Sequence, residues 1–474
     1  MAMIRSSKNK ITVPTYHDSK LYGQDYTAIK RDLKKSNQLF LDPMFPPDNY
    51  SICYTGAVSG VNMNDIVWVR AKELTPKARF IKDGTSVDDV NQGYLGDCWF
   101  LSALASLAVN DELFDKVVPE GQSFSKRKYN GIFYFRFYKW GQWIDVVVDD
   151  YLPTYHGRPI FLYSDDKGEA WPCLAEKAYA KLHGSYMHLT GGLCITSMEN
   201  LSGGVAERFI GPNGPLCALK GTHWDLFHEM SQVIENDAIV CTGTFLHSKD
   251  VGIYGGHAYS VTGFYEDDKK GIPKLVKIRN PWGIMLEWTG AFSDNSPEMS
   301  RHSEVEALKS GVGEWWMPYE EFLKYFTMME LCHLLKGWPE VSDHNVWDSK
   351  TGFQIPYVVT LTEESSVFVC LQQKMRRELR DEADTFWTEI PIQLQIYPIK
   401  HELLQNLNAV TAYGPLGENL VKYNGDFDQV SAVTFRGSLP AGHYLVVAVS
   451  TKWFEADFYL RVNSKDKNMK MSRI

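Results

Sequence analysis

The sequence predicts an α+β protein whose hydrophobic pattern changes twice along the chain. Helix-like runs rich in Leu and Ala prevail up to a glycine pair at Gly203 and Gly204, and strand-like runs rich in β-branched and aromatic residues follow. From about residue 337, short strands recur between turn signals, a spacing typical of an antiparallel β-sandwich. The predicted divisions are an N-terminal arm and helix-rich region at 1–203, a strand-rich region at 204–336, a sandwich at 337–466 and a polar, frayed tail at 467–474.

The first element of chemical interest is a helix predicted to begin at Cys98. The run from Asn91 to Asp97 is polar and contains two glycines, which is typical of a turn, whereas the next run is rich in Leu and Ala and lacks Gly and Pro. Asp97 is a favourable N-cap residue, which puts Cys98 at the first helical position. Because a helix N-terminus favours negative charge, we expect the Cys98 thiol to ionise readily.

The elements after this helix follow from local patterns. Two alternating runs at 131–138 and 142–150, separated by Trp140-Gly141, predict a β-hairpin. Residues 170–182 predict a helix, with Pro172 in its first turn. Further strands are predicted at 238–242, 257–264, 274–279, 357–361, 366–370, 392–397, 442–449 and 458–462.

Composition excludes several functional classes. The chain has 474 residues, of which 44% are hydrophobic, enough for about two to four domains. Lys and Arg number 49 against 58 Asp and Glu, and this acidic balance argues against a nucleic-acid-binding protein. No apolar run is long enough to span a bilayer, and the polar N-terminus has no signal-peptide core. We therefore expect a cytoplasmic location.

The cysteines point to reduced thiols, and one of them is a candidate nucleophile. The eight cysteines include no C-x-x-C pair, which argues against a zinc ribbon or a disulfide framework. A free cysteine is most often a core residue, so Cys98 needs partners before it qualifies as a nucleophile. Gln92, six residues earlier, supplies a side-chain amide that can hold the oxyanion formed when a sulfur attacks a carbonyl.

Two later segments supply a base and a residue to orient it. His257 follows Gly255-Gly256 at the head of a predicted buried strand and can present its imidazole to a cleft. Asn280 ends the next strand before Pro281, so its oxygen can hold the imidazole while Trp282 shields that hydrogen bond from water. Taken singly, His257 reads as a core histidine and Asn280 as a turn residue. The order Cys, His, Asn matches a papain-type arrangement.

These segments carry a resemblance to a known family. Residues 92–101, 256–263 and 279–283 resemble the three active-site blocks of the calpains, which are intracellular, calcium-dependent cysteine endopeptidases. The resemblance runs from about residue 40 to 335, and the β-rich remainder is similar to the C2-like sandwich of that family. It implies a papain-like core of two subdomains with a cleft between them and a hinge at the Gly203-Gly204 pair.

The resemblance also assigns roles to individual residues. Cys98 and Gln92 would lie on the first subdomain, and His257 and Asn280 on the second. Residues predicted to contact the substrate are Gly192, Gly256 and Trp282, the two glycines because the absence of a side chain lets an extended peptide approach closely.

Two calcium ions are implied, one for each subdomain. In the first subdomain, Asp89 and Glu169 match the carboxylate ligands, and Lys82 and Gly84 would supply backbone carbonyls. Calcium prefers such hard oxygen ligands. A merely solvated surface position is the alternative reading of each acid taken alone.

The second calcium site departs from the family pattern. Glu287, Asp294 and Glu314 match three carboxylate positions, but Val312 stands where the family usually has a further acid, so we expect this site to be weakened or lost. Val87 replaces an arginine that the family often carries two residues before Asp89. The charge pair by which many calpains couple the two ions is therefore not expected here.

Partners follow from the same resemblance. Protein substrates are expected and nucleic acid is not. No EF-hand loop occurs, so the chain reads as an atypical form without that domain, or a shortened one, and no EF-hand small subunit is expected. Charged residues cluster between positions 374 and 387. This segment is either a loop that contacts the core or a phospholipid head group, or a loop that is simply solvated. Recruitment to membranes thus stays open.

The sequence therefore predicts calcium-dependent limited proteolysis, with calcium aligning the two subdomains. Two other readings remain open. One is a binding protein with a silent protease fold, which would lack a nucleophile or a base. The other is acyl transfer of the transglutaminase type, which usually has Asp where this chain has Asn280.

Overall fold

The computed structural model describes residues 19–53, 58, 60–166, 168–211, 225–283, 287–309, 311–374, 389–402, 422–423, 430–451 and 455–474. The described residues up to Leu334 form one compact unit, and those from Leu335 onward form a second. Helices and sheets both contribute to the first unit, and the second is built of strands. No helix among the described residues is long and apolar enough to cross a membrane.

The N-terminal half of the first unit is built around one buried helix. Its elements are α1 (Tyr26–Ser36), α2 (Asn49–Ile52), β1 (Ile66–Arg70), α3 (Ala71–Leu74), α4 (Cys98–Ala108), α5 (Asp111–Val117), β2 (Ile132–Lys139), β3 (Gln142–Asp149), β4 (Tyr151–Tyr155), β5 (Arg158–Pro159), α6 (Trp171–Leu182) and α7 (Cys194–Ser202). Nine of the 11 residues of α4 are buried. The Leu- and Ala-rich composition that predicts a helix thus also makes α4 the centre of the core, and its predicted start at Cys98 is confirmed.

The predicted hairpin and the helix at 170–182 are both present. Strands β2 and β3 pair antiparallel, and their connection at Trp140 and Gly141 has positive φ angles of 50° and 81°, as a tight hairpin turn requires. Helix α6 begins at Trp171 with Pro172 in its first turn.

The N-terminal arm leads into a helix that the sequence analysis did not predict. Residues from Tyr26 belong to α1, and the Asp25 side chain accepts a hydrogen bond from the Ala28 N–H at 2.8 Å. Ile29 and Leu33 of this helix pack against a small core that includes Val147. The N-cap and this apolar stripe stabilise a helix where the polar composition suggested none.

A six-stranded antiparallel sheet forms the rest of the first unit, in the order β10-β9-β8-β7-β11-β6. Its elements are β6 (Val205–Ile210), α8 (Leu226–Glu235), β7 (Ile239–Thr244), β8 (His257–Asp267), β9 (Ile272–Arg279), α9 (Pro297–Arg301), α10 (Ser303–Glu306), β10 (Glu314–Pro318), α11 (Tyr319–Tyr325) and β11 (Met328–His333). Helix α4 packs against this sheet, where the Ser260 hydroxyl on β8 donates to the Ser102 carbonyl at 2.8 Å. The helix that begins at Cys98 therefore lies beside the strand that begins at His257.

The second unit consists of two antiparallel sheets. Their orders are β12-β19-β14-β17 and β16-β15-β18-β13-β20. The strands are β12 (Glu340–Trp347), β13 (Gln354–Leu361), β14 (Ser365–Gln373), β15 (Ile392–Ile399), β16 (Lys422–Tyr423), β17 (Ala432–Leu439), β18 (Gly442–Ser450), β19 (Ala456–Ser464) and β20 (Lys470–Arg473). The five strands predicted in this region from the sequence are confirmed, within β13, β14, β15, β18 and β19.

The C-terminal tail is not frayed, contrary to the prediction for residues 467–474. Strand β20 pairs with β13, with Met471 opposite Val359. Before it, the Asp466 carboxylate accepts hydrogen bonds from Thr362 and from the Asn468 N–H. A strand at a sheet edge is held by its backbone ladder, so polar side chains did not reveal it.

Most of the predicted charged loop lies outside the described residues, which stop at Lys374 and resume at Glu389. Lys374 itself is buried, and its ammonium lies 3.8 Å from the Asp457 carboxylate.

Candidate active site

The Cys98 sulfur lies at the N-terminus of α4, against the strand that carries His257. The backbone N–H of Ala258, the residue after His257, donates a hydrogen bond to the sulfur. Burial nevertheless raises the pKa of the Cys98 thiol to about 11, and the charge of Asp97 raises it further, while the N–H groups of Ala258 and Trp99 lower it. The expectation of a readily ionised thiol is therefore wrong for this arrangement, because desolvation outweighs the helix N-terminus.

His257 and Asn280 are brought together by the sheet. His257 begins β8 and Asn280 follows the end of β9, so the antiparallel pairing of the two strands sets them side by side. His257 Nε2 and Asn280 Oδ1 are 2.8 Å apart, and both residues are buried. Burial lowers the pKa of His257 to about 4, although the hydrogen bond to Asn280 raises it, so the imidazole is neutral at neutral pH.

Trp282 covers this hydrogen bond. Its ring centroid lies 4.1 Å from that of His257, with the planes tilted by 32°. Its backbone N–H donates to Asn280 Oδ1 at 3.0 Å, so the same oxygen is held from a second direction. The described residues show no hydrogen bond between Cys98 and the His257 ring, so the structure holds the thiol and the imidazole as two neutral neighbours.

The Gln92 side chain forms a hydrogen bond within its own loop. Its Nε2 donates to the Leu95 carbonyl at 2.6 Å, within its own loop, and its buried Oε1 has no hydrogen-bond partner. The Gln92 backbone N–H donates to the Pro281 carbonyl at 2.9 Å. The backbone of this loop is therefore joined to the segment that carries Asn280, whereas the Gln92 side chain binds within the loop.

Further hydrogen bonds among the described residues join residues 88–92 to the sheet half of the unit. Arg279 Nη2 donates to the Val90 carbonyl at 2.7 Å. The Val312 N–H donates to Asp88 Oδ1 at 2.7 Å. The sequence showed that Val87 and Val312 cannot form a charge pair, but it did not reveal that the neighbouring Asp88 binds the backbone at Val312.

The two glycines predicted to contact substrate have different surroundings. Gly256 has a positive φ of 69°, and a Cβ there would meet no atom within 4 Å, so the backbone is open to close approach. A Cβ at Gly192 would lie 2.5 Å from the Trp99 ring, so packing of that indole already requires glycine.

At the first predicted calcium site, the structure brings Asp89 and Glu169 together. Burial raises the pKa of Glu169 to about 8; the Lys82 N–H lowers it, and the adjacent Asp89 carboxyl raises it further. Lys82 N donates to Glu169 Oε1 at 2.8 Å, while the Lys82 ammonium pairs with Asp166. Gly84 lies on the same loop with a φ of 98°. Two adjacent carboxyl groups without a cation between them can supply oxygen ligands to a hard divalent cation.

The second predicted site is divided in two. Burial is the largest cause that raises the pKa of Glu287, and the charge of nearby Asp294 raises it further. Glu314 is instead engaged on β10, where Lys277 Nζ lies 3.0 Å from Oε2 and the Thr262 hydroxyl donates to Oε1 at 2.8 Å. No group of three or more His, Cys, Asp or Glu side chains among the described residues is arranged to hold a metal.

One buried pair beside Cys98 escaped sequence reasoning. Asp97 is the N-cap residue of α4, but its side chain does not cap the helix; it faces Glu176 of α6. Both residues are buried, and Glu176 accepts the Leu162 N–H at 3.0 Å. Burial raises the pKa of Asp97 to about 7 and raises the pKa of Glu176 well above its usual value, and the charge of Asp97 raises the pKa of Glu176 further. Only the packing of two distant helices creates this contact.

Comparison with known proteins decides the family. The sequence model of a family described as "Calpain family cysteine protease" matches residues 40–333. The chain belongs to the calpain family. A second description, "Calpain large subunit, domain III", matches residues 347–463, so both units of this calpain-family protease have counterparts. The resemblance predicted from the three active-site blocks is confirmed.

Individual calpains are similar over most of this chain. Calpain-8 of Rattus norvegicus is 34% identical, covering 94% of this chain and 69% of the relative. Calpain-A of Drosophila melanogaster is 33% identical, covering 94% of this chain and 58% of the relative. The calpain-2 catalytic subunit of Gallus gallus is 33% identical, with shares of 94% and 68%. The chain is thus a calpain-type cysteine endopeptidase that spans from 58% to 69% of the length of these calpains.

Proposed function

We propose that this calpain-family chain is a calcium-dependent endopeptidase that performs limited proteolysis of intracellular proteins by a Cys-His-Asn mechanism. The observation that carries the proposal is the buried hydrogen bond of 2.8 Å between His257 and Asn280, covered by Trp282 and adjoining the helix that begins at Cys98. A base held by an orienting amide beside a thiol is the arrangement that nucleophilic catalysis requires.

In the proposed reaction, the Cys98 sulfur attacks the peptide carbonyl and its proton passes to His257. The resulting oxyanion is held by the Cys98 backbone N–H and the Gln92 side-chain amide. His257 then protonates the leaving amine, which leaves an acyl group on Cys98. A water molecule, deprotonated by His257, hydrolyses this thioester. Asn280 keeps the imidazole in the orientation that both steps need.

The described arrangement corresponds to a resting state. The raised pKa of Cys98 and the lowered pKa of His257 keep both groups neutral at pH 7. The Gln92 amide donates one hydrogen bond to the Leu95 carbonyl. Activation therefore requires a small movement that lets the thiol transfer its proton to the imidazole and brings the Gln92 amide to the oxyanion.

The loop at 82–92 is suited to couple calcium to that movement. Asp89 and Glu169 would hold the ion, with carbonyl oxygens of Lys82 and Gly84, and bound calcium supplies positive charge that relieves the repulsion between the two carboxylates. Residues 88–92 of the same loop bind Arg279, Pro281 and Val312 through hydrogen bonds. Ordering this loop would therefore adjust Gln92 and the segment that carries Asn280 together.

The second ion is proposed as weak. Glu287 and Asp294 can share a cation, but Glu314 is already neutralised by Lys277. A ligand that must first leave an ion pair contributes less to binding.

The strand-built unit is proposed as a C2-like sandwich. Its two antiparallel sheets are linked by the Trp347 indole N–H, which donates to the Ala448 carbonyl at 3.1 Å. Phospholipid contact through this unit, cytoplasmic localisation and independence from an EF-hand subunit also remain proposals.

Casein cleavage in a calcium titration tests the function, with Cys98→Ala as the control. We expect cleavage that rises with calcium, is abolished by excess chelator and is absent in the variant. Undiminished cleavage in chelator would contradict calcium gating, and ammonia release from casein without new amino termini would indicate acyl transfer instead of proteolysis.

A further inference from the structure

Two buried cysteines, one in the helical half and one in the sheet half of the first unit, both adjoin Glu330. Cys194 begins α7, and Cys241 lies within β7. Glu330 of β11 is directly opposite Cys241 in the β7–β11 ladder, and its Oε2 accepts the Cys194 N–H at 3.0 Å. Since side chains of directly opposite residues project to the same face, Glu330 fixes the start of α7 next to the Cys241 side chain.

The two thiols lie in the same part of the core. A hydrogen bond to Cys241 is the main cause that raises the pKa of the Cys194 thiol. Cys194 is 1% exposed and Cys241 is 0% exposed, and both belong to the same hydrophobic core as α4. The pair therefore spans the predicted subdomain division at Gly203-Gly204.

Other buried cysteines of the unit have different partners. The Cys173 thiol donates to the Leu162 carbonyl at 3.1 Å, and the Cys332 sulfur lies 3.3 Å from the Ser202 hydroxyl. These thiols are satisfied in the way that is usual for core cysteines. Cys194 and Cys241 differ because each is the neighbour of a second thiol.

We propose that Cys194 and Cys241 are a disulfide-forming pair, which a hydroperoxide oxidises to a covalent bridge between the two halves of the protease unit. One thiolate attacks the peroxide oxygen, so that the O–O bond breaks and a sulfenic acid and an alcohol form. The second thiol attacks the sulfenic sulfur, its proton leaves with the hydroxyl as water, and the S–S bond closes. Two thiols are oxidised by two electrons and one hydroperoxide is reduced.

Burial makes this reaction slow but does not prevent it. The pKa of Cys194 is raised well above its usual value, because of the hydrogen bond to Cys241 and because of burial, so the thiolate is scarce. The charge of Cys98 also contributes to this rise. Transient opening of the two halves exposes the pair to a small hydroperoxide.

The bridge would hold the two halves in the arrangement seen here. Its effect on activity rests on the proposed function, in which calcium aligns the same halves. A covalent bond that holds the halves in this resting arrangement opposes the movement that calcium must produce, so the oxidised enzyme should require more calcium.

Peptide mapping tests the bridge itself. The full chain with Cys98→Ala is treated with hydrogen peroxide, any remaining thiols are alkylated, and non-reduced digests are analysed by mass spectrometry. We expect a linked peptide containing Cys194 and Cys241, two hydrogen atoms lighter than its reduced parts and released by dithiothreitol. The variants C194S and C241S, in the same background, should lack it.

The proposal is overturned if peroxide yields sulfinic or sulfonic acids at Cys194 or Cys241 without the linked peptide. It is also overturned if both thiols stay reduced under peroxide at concentrations of urea just below the unfolding transition, where the two halves open. Because Cys98 is absent from this protein, neither result depends on proteolytic activity or on calcium.

A second experiment measures the consequence. In the enzyme with Cys98 intact, a peptide aldehyde protects the nucleophile during oxidation and is then removed by dialysis. We expect the calcium concentration for half-maximal casein cleavage to rise by roughly fivefold or more, and dithiothreitol to restore it. C194S and C241S, which should match the untreated enzyme, should show no change. An unchanged calcium requirement in demonstrably bridged enzyme would overturn the proposed consequence while leaving proteolysis itself intact.

Discussion

The helical and the sheet halves of the protease unit hold the proposed catalytic residues in different states. In the sheet half, His257 and Asn280 are already joined at 2.8 Å and covered by Trp282. In the helical half, the pKa of the Cys98 thiol is raised and the Gln92 amide is bound to its own loop. The proposed base is therefore oriented before substrate or ion arrives, and the proposed nucleophile is not yet activated.

The difference follows from what holds each half. Strand pairing fixes His257 and Asn280 through backbone hydrogen bonds, which need no further ligand. Gln92 and Asp89 lie on a loop next to Glu169, where carboxyl groups crowd without a cation. The helical half thus contains the part of the site whose arrangement an ion can change.

The largest expected effect concerns the nucleophile. Cys98→Ala should lower kcat for casein cleavage by roughly a thousandfold or more, because no other group can form the acyl intermediate. The matched control is Cys173→Ala, which removes a core thiol on α6 and should retain activity per folded molecule. Residual activity of Cys98→Ala near that of the control would show that the nucleophile lies elsewhere.

The next effect compares one residue from each half. Gln92→Ala should lower kcat by about a hundredfold, since an oxyanion donor is lost only in the transition state. Asn280→Ala should cost less, about tenfold, because Trp282 and β8 still restrain the imidazole. Steady-state kinetics with a fluorogenic peptide measures both. A greater loss at Asn280 than at Gln92 would reverse the comparison.

The two predicted calcium sites should differ in importance. Glu169→Gln should raise the calcium concentration for half-maximal activity by about 10-fold to 100-fold, because one of two crowded carboxylates is lost. Glu314→Gln should have a smaller effect, since Lys277 already neutralises that carboxylate. Calcium titrations of both variants decide the matter, and equal shifts would show that the second site is as important as the first.

The state of the thiol can be followed by alkylation with iodoacetamide. In chelator, the rate at Cys98 should rise about tenfold for each pH unit between 7 and 9, since the pKa of the thiol is raised to about 11. With calcium and the proposed thiolate–imidazolium pair, the inflection should move toward neutral pH. Cys98→Ala corrects for other thiols. A profile in chelator that is flat above pH 6 would mean that the thiol is ionised at rest.

The smallest effect concerns stability without calcium. The folded-state pKa of Glu169 is raised to about 8 from an ordinary value near 4.5, so the folded state retains a proton that the unfolded state has lost. This contribution to stability is complete below about pH 4.5 and is lost as pH rises to about 8. The unfolding temperature in chelator should therefore fall across that window.

Two variants and one ligand sharpen this last prediction. Glu169→Gln should flatten the decline, and Glu287→Gln should flatten it less. Added calcium should raise the unfolding temperature more at pH 8 than at pH 6, because the ion competes with a proton. A calcium-induced shift that is independent of pH would exclude Glu169 as a ligand.

The sequence by itself determined the α+β class and the places where the key elements begin. Helix α4 starts at Cys98 because a polar, glycine-containing turn meets a Leu- and Ala-rich run, and β8 starts at His257 because an apolar alternating run follows two glycines. Such signals are local, so they can be read from neighbouring residues.

Only the tertiary structure decided how these elements affect one another. The raised pKa of Glu176 beside Asp97 depends on the packing of α4 and α6, and the ion pair of Glu314 with Lys277 depends on strand register. Burial reversed the expected ionisation of Cys98. Desolvation and contacts between distant segments have no local signature, because they arise from the whole fold and not from the residues next in sequence.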